Sequence, residues 1–274
     1  MLEPLTHGAL RSIDACGSPL SYVESGDGPV LLLVHGSLCD LRYWRWQIPA
    51  LGRHFRVIAP SLRGYWPHAF EQADPTFNLV QHAADLEQLI DAVAGRPVHL
   101  LGHSRGARVA LELAARTPGR IASLILADPG LQTVPSAAAM AFQRQAVDRL
   151  AMGDVEGALE GFIDTVNGAD TWRRMTGWFK EMVRDNAATL FSQAAEQGAV
   201  FETSRIQPLR CPVLLLGGEH SPPRFARAMD SLQAVLTQAE RDVIPMASHG
   251  MNLGNARAFN ARVERFVLRA HAQP

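Results

Sequence analysis

The sequence predicts an α/β fold: a mostly parallel sheet with helices over both faces. Short apolar runs bounded by Gly, Pro or Asp alternate with longer segments of helical period, the pattern of strand and crossover helix. The runs are apolar at consecutive positions instead of at every second one, as strands buried on both faces require. Length agrees. The chain has 274 residues, 47% of them hydrophobic and 19% charged, enough to bury the core of one large α/β domain with an insertion.

The elements follow in order. The stretch "ALRSIDACGSPLSYVESGDG" reads as a hairpin ahead of the first buried run. The buried runs are "PVLLLVHG" (Pro29 to Gly36), "RVIAP" (Arg56 to Pro60), "PVHLLGHS" (Pro97 to Ser104), "IASLILADP" (Ile121 to Pro129), "CPVLLLGG" (Cys211 to Gly218) and "RDVIPM" (Arg241 to Met246). Between the second and third, "FNLVQHAADLEQLIDAVAG" places Leu79, Ala83, Leu86, Leu89, Ile90 and Val93 on one helical stripe. "ARVALELAART" and the C-terminal "ARAFNARVERFVLRA" are further helices. From Leu131 to Ile206 the alternation stops, and only helical stretches such as "TWRRMTGWFKEMVRDNAATLF" occur. A core in two parts, 1–130 and 207–274, is therefore expected, with a helical cap or lid at 131–206 over the C-terminal edge of the sheet.

Charge and cysteines exclude several classes. Lys plus Arg (26) nearly balances Asp plus Glu (27), so no summed field draws the chain to nucleic acid or an anionic membrane. A small-molecule partner is expected, with the oligomeric state open between monomer and homodimer. Cys16, Cys39 and Cys211 are odd in number and show no CxxC spacing, which argues against a disulfide framework or a zinc site. The first twenty residues have no apolar stretch long enough for a signal peptide or a membrane span. A cytoplasmic protein is expected.

One motif carries chemistry. "LLGHSRGARVAL" sets Gly102-His103-Ser104-Arg105-Gly106 between a buried strand and a helix, a G-x-S-x-G in the context that gives it meaning. The chain must turn sharply there, so glycines flank the turn and the Ser104 hydroxyl is thrust up at a helix N-terminus. The competing reading, a Gly-rich loop cradling a phosphate, lacks the GxGxxG or GxxxxGK pattern.

On these residues the chain resembles the α/β-hydrolase family over nearly its whole length. The resemblance implies that fold, a cofactor-free serine hydrolase, and a triad in chain order nucleophile, acid, histidine. "LLLVHGSLCDLRYW" resembles the family's His-Gly-x loop. Carried over, the backbone N–H groups of Ser37 and Arg105 form the oxyanion hole, and His35 shapes the loop. "RDVIPMASHGMNLGNARAF" supplies His249 as the general base, on a loop before the final helix. The acid departs from the family pattern. The usual "G-x-x-D" carboxylate falls on Ser221 in "GGEHSPP", and a serine cannot carry the charge that stabilises an imidazolium. Asp128 in "LILADPG" resembles the acid position of some dehalogenases and a mycotoxin lactonase. Glu219, in the loop of Ser221, competes with it. In "APSLRGYWP", Ser61 stands before Arg63 and Gly64 where the family usually has aspartate, which points to a subgroup.

Aromatic residues suggest an apolar pocket, with Trp44, Trp172 and Trp178 as candidate lining beside Tyr43, Trp46, Phe162, Met175 and Phe179. Arg105, Arg63 and Arg45 are candidates for binding a substrate carboxylate. The expected reaction is hydrolysis of a small hydrophobic ester or lactone through an acyl-enzyme on Ser104. Carbon-carbon bond cleavage by the same triad, and a hydrolase-derived binding protein with little turnover, are the alternatives. A serine nucleophile argues against haloalkane dehalogenation and epoxide hydrolysis, because those branches use an aspartate.

Overall fold

The computed structural model describes residues 8–132, 137–196 and 199–272. Residues 1–7, on which the reading of the N-terminus partly rests, and 133–136 and 197–198 of the expected cap lie outside that range. Eight strands form one sheet: β1 (Arg11–Ala15), β2 (Ser18–Ser25), β3 (Val30–Val34), β4 (Arg56–Pro60), β5 (Val98–His103), β6 (Ile121–Ala127), β7 (Val213–Gly218) and β8 (Glu240–Ile244). Their spatial order is β1-β2-β4-β3-β5-β6-β7-β8. The hairpin β1–β2 and the pair β2–β4 are antiparallel, and all other pairs are parallel. Every strand corresponds to a stretch singled out from its apolar run or hairpin pattern.

Eleven α-helices occur among the described residues. They are α1 (Ile48–Leu51), α2 (Leu79–Val93), α3 (Arg105–Arg116), α4 (Ala137–Ala151), α5 (Val155–Asn167), α6 (Thr171–Arg174), α7 (Gly177–Asp185), α8 (Thr189–Gln193), α9 (Pro223–Gln233), α10 (Met251–Gly254) and α11 (Ala256–His271). Local chemistry sets their starts. The side chain of Asn78 accepts from Gln81 N at the head of α2, and that of Asn255 accepts from Ala258 N at the head of α11, each satisfying one orphan donor. None of the helices among the described residues is long and apolar enough to cross a membrane.

Consecutive strand residues feed opposite layers, which is why the runs are unbroken. Leu31, Leu33, Leu101, Ile125, Leu214 and Leu216 pack with Trp44, Phe259, Val263 and Phe266 on one face. Leu32, Val34, Leu100, Leu124, Leu126 and Leu215 pack with Leu86, Leu89, Val109 and Leu113 of α2 and α3 on the other. Each such side chain contributes about 1.5–3 kcal/mol when fully buried. Between β6 and β7 the chain runs through α4 to α8 with no strand among the described residues. Residues of this helical segment, among them Phe142, Phe162 and Trp178, line one cavity with His103, Ser104 and Pro129 at the ends of β5 and β6.

Helix and sheet approach closely where α3 passes the end of β3. A Cβ on Gly106 would lie 2.2 Å from the carbonyl oxygen of His35 and 2.4 Å from that of Val34. Backbone cannot yield there as a flexible side chain can. The substitution Gly106→Ala is therefore expected to destabilise the fold by at least about 1–3 kcal/mol, read as a fall in the midpoint of thermal unfolding by circular dichroism.

Candidate active site

Strand β5 ends at His103, and α3 starts at Arg105, so the whole turn is made at Ser104, with φ 55° and ψ −122°. That positive φ is strained for a residue with a Cβ. It places the half-buried Ser104 hydroxyl at the N-terminus of a 12-residue helix, whose dipole and unpaired N–H groups favour negative charge nearby. The loop after β3 closes on the turn: a Cβ on Gly36 would stand 2.9 Å from Ser104 Cβ. Ser37 and Arg105 both line the cavity beside Ser104. Arg105 is the first residue of α3, and an N–H at that position has no partner within its own helix.

Three side chains from separate elements converge. The His249 ring lies with Nε2 3.0 Å from Ser104 Oγ and Nδ1 3.1 Å from Asp128 Oδ2. A neutral ring with its proton on Nδ1 satisfies both contacts: Nδ1–H donates to the carboxylate, and Nε2 accepts from the hydroxyl. Asp128 is the residue just past β6, fully buried, at φ 40°. Glu219 is elsewhere. It is exposed, and its Oε2 accepts from Met246 N at 2.6 Å.

Ser221 is not idle at the position where a carboxylate is usual. Its Oγ donates to Asp128 Oδ2 at 2.5 Å, the same oxygen that receives His249 Nδ1–H. The serine thus supports a carboxylate that arrives from the neighbouring strand.

Electrostatics set protonation states. Burial raises the Asp128 carboxyl to about 6, against the opposing pull of the Ser221 hydrogen bond and the nearby His103. Burial pushes the His249 imidazole down to about 3, with the positive charge of Arg224 adding to the effect. Near neutral pH the pair therefore consists of a carboxylate and a free-base imidazole. Burial also lowers His103 and His35 to about 3.

Further residues hold the histidine loop, and sequence reasoning did not find them. His103 Nε2–H donates to the His249 carbonyl at 2.8 Å. Phe225 stacks on the His249 ring, centroids 4.0 Å apart and planes at 10°. At the end of α5, Asn167 Oδ1 accepts from Gly250 N at 3.1 Å, and its carbonyl accepts from Ser248 Oγ at 2.8 Å. Only Ser221 and His103 carried a signal, as polar residues inside the motifs. Nothing in spacing or period marks Asn167 or Phe225. His35 matches its expected shaping role, since Nε2 accepts from Leu62 N at 3.0 Å and Nδ1–H donates to Gly36 O at 2.9 Å.

The cavity above Ser104 holds about 1270 Å³. Trp178 lines it, along with Tyr43, Trp46, Phe162, Met175 and Phe179. Trp44 and Trp172 do not, which corrects the expectation for both. The turn Leu41–Trp44 sends Trp44 into the core, where it is fully buried with its ring 6.4 Å from that of Phe259. Trp172 is packed into the helical segment, 5% exposed, beneath the cations of Lys180 and Arg184. Arg63 is also away from the cavity, buried in an ion pair with Asp85 at 2.7 Å. Arg45 lies over the rings of Trp46 and Trp178. No group of three or more metal-ligating side chains occurs among the described residues.

Comparisons agree with this architecture. The profile of the alpha/beta hydrolase family matches residues 31–262, and the chain belongs to that family. A haloalkane dehalogenase of Mesorhizobium japonicum is 35% identical over 124 residues, 44% of this chain and 40% of that protein. A 2-hydroxymuconate semialdehyde hydrolase of a Pseudomonas species is 34% identical over 122 residues, 42% of each chain. The aligned stretches thus span well under half the length of these curated relatives. Among solved structures, a thermophilic esterase from Thermogutta terrifontis superposes with a TM-score of 0.78 at 24% identity, over 97% of this chain and 100% of the esterase.

The Ser221 contact has a measurable consequence. Because its hydrogen bond holds the Asp128 carboxyl down, Ser221→Ala is expected to move that titration further up. Carboxylate-detected 13C NMR reads the shift, and Glu219→Gln serves as a control that leaves it in place.

Proposed function

We propose that the protein is a serine hydrolase that cleaves a small carboxylic ester or lactone through an acyl-enzyme on Ser104. The observation carrying this is the continuous hydrogen-bonded series Ser104 Oγ, His249 Nε2, His249 Nδ1 and Asp128 Oδ2, at 3.0 and 3.1 Å, at the foot of a large cavity. In the first step Ser104 Oγ attacks the substrate carbonyl carbon while its proton passes to His249 Nε2. The N–H groups of Ser37 and Arg105 receive the developing oxyanion. The imidazolium, held by Asp128, returns the proton to the departing alkoxide. Water then repeats the sequence on the acyl-enzyme, and the acid is released.

Several features support the reading. The nucleophilic atom is a hydroxyl, which forms an acyl-enzyme, whereas displacement at a saturated carbon uses a carboxylate. A neutral His249 is a base without prior deprotonation. Helices α4 to α8 act as a cap that keeps bulk water from the acyl group, with aromatic and aliphatic side chains for the apolar part of the substrate. Asp128 takes the orienting role, and Ser221 positions it.

A fluorophosphonate probe is expected to label the wild type and not Ser104→Ala, as seen by intact-protein mass spectrometry; an unlabelled wild type would refute the proposal. Asp128→Asn is expected to lower kcat on p-nitrophenyl esters by about 10⁴-fold, while Glu219→Gln stays near wild type. The reverse order would move the acid to Glu219.

The pH profile follows from the carboxyl at about 6. Its ionised form is the working form, so kcat/KM is expected to be level above that pH and to fall as pH drops through about 6. The proton taken up belongs to the Asp128–His249 pair as a whole: on His249 it removes the base, and on Asp128 it removes the negative charge that stabilises the imidazolium. A profile flat down to pH about 4 would contradict this assignment.

A further inference from the structure

The cavity lining is unevenly charged. Among the described residues it carries five arginines, Arg105, Arg108, Arg174, Arg224 and Arg227, against one carboxylate, Glu196. That carboxylate is committed: both its oxygens accept from Arg105, at 2.8 and 2.5 Å. No ion pair joins any of the other four arginines to a carboxylate among the described residues.

Two of these four, Arg108 and Arg224, are half-buried. Arg108 sits on α3 four residues after Ser104, hence about one helical turn from the nucleophile and on the same side of the helix. Its Nε is buried and has no hydrogen-bond acceptor, and Nη1 of the adjacent Arg105 is in the same condition. Arg224, in the first turn of α9, lies over the rings of Phe142 at 5.7 Å and Phe225 at 4.8 Å, and Phe225 is the residue stacked on His249. Arg224 gives one N–H to the Thr165 carbonyl, 2.8 Å away; the Asp128 carboxylate acts on its charge only at longer range, without a contact ion pair among the described residues. Burial lowers the pKa of both guanidinium groups, outweighing the opposing pull of Glu196 and Glu112 on Arg108 and of Asp128 on Arg224, the direction expected where a cation is removed from water without a contact anion that fully compensates. Gln132 and Gln193 also line the cavity, and the Oε1 of each is buried without a partner. An amide turned over offers a donor at that place.

Partly desolvated charges and unpaired buried donors are costly unless a ligand satisfies them. We infer that the substrate carries a carboxylate, separated from the scissile carbonyl by a few carbons and bound between Arg108 and Arg224. This rests on the hydrolase reading above and narrows its substrate class to anionic esters, such as monoesters of dicarboxylic acids. The apolar lining then receives the other half of the ester. The fork of an arginine pairs with a planar carboxylate through two parallel N–H donors. Arg105, the basic residue nearest the nucleophile in sequence, is spent on Glu196, so recognition falls one turn further along α3 and across to α9.

The test compares two esters matched in length, the mono-p-nitrophenyl ester of glutaric acid and p-nitrophenyl valerate, which differ at the far end by carboxylate against methyl. The wild type is expected to prefer the glutarate ester in kcat/KM by about tenfold or more, expressed mainly in KM, as charge-assisted hydrogen bonds of this kind allow. The preference is expected to collapse toward one in Arg108→Leu and in Arg224→Leu, and to survive in part in Arg224→Lys, whereas a purely structural loss would lower both substrates together. It is also expected to shrink as sodium chloride rises from about 0.05 to about 0.5 M. A wild-type ratio at or below one, or equal losses on both esters in the variants, overturns the inference. Calorimetric binding of the same two esters to Ser104→Ala separates this from the hydrolase reading. If neither ester is turned over and the probe fails to label, the hydrolase reading falls, while tighter binding of the glutarate ester still upholds the anion site. Equal binding of both esters removes it.

Discussion

The site depends on one strained turn. Ser104 adopts φ 55° between a strand and a helix, a conformation that costs of order 1–3 kcal/mol for a residue with a side chain. Close packing on every side holds it there. A Cβ on Gly102 would meet the Gly106 carbonyl oxygen at 2.4 Å, and one on Gly130 would meet Arg105 N at 3.0 Å. The Gly130 N–H donates to the Ser104 carbonyl, and the Ser104 N–H donates to the Ala127 carbonyl, both at 3.0 Å. Strand β6 and the chain just beyond it therefore do two jobs. They brace the turn from beside it, and they deliver Asp128 to the same edge.

Burial then turns geometry into chemistry. Asp128 and His249 are 0% and 3% exposed, so their interaction is screened far less than a surface pair would be. An exposed carboxylate such as Glu219 would have to lose its hydration to take part. Asp128 gives up that hydration on folding and recovers part of the loss through Ser221 and His249. Two donors on one carboxylate oxygen also fix its orientation, which a single contact to the histidine would leave free to rotate.

Much of this was legible in the sequence, for reasons that can be named. The strands were readable because both faces of the sheet are covered, and Ser104 because glycines are forced at its turn. The choice between Asp128 and Glu219 was not, since both lie at the C-terminal edge of the sheet and only side-chain direction distinguishes them. The aromatic residues failed for a related reason. In the short turn Leu41–Trp44 both Tyr43 and Trp44 pack in the core, but only Tyr43 also lines the cavity, a difference of one position that composition cannot resolve. Likewise two of the three arginines singled out from the sequence are neutralised, Arg63 by Asp85 and Arg105 by Glu196. Those left without a carboxylate are visible only in three dimensions.

The hydrogen bonds at the end of α5 bear on how the molecule can move. Asn167 holds the N–H of Gly250 and the hydroxyl of Ser248, and two residues earlier the Thr165 carbonyl receives Arg224. These contacts reach the residues on either side of His249 and the start of α9. A helix tied in this way belongs to the frame of the site as much as to its roof. Swinging α5 aside would drag the histidine loop with it, so a passage for substrate that preserves the base has to open through other parts of the helical segment, with α5 as the fixed post.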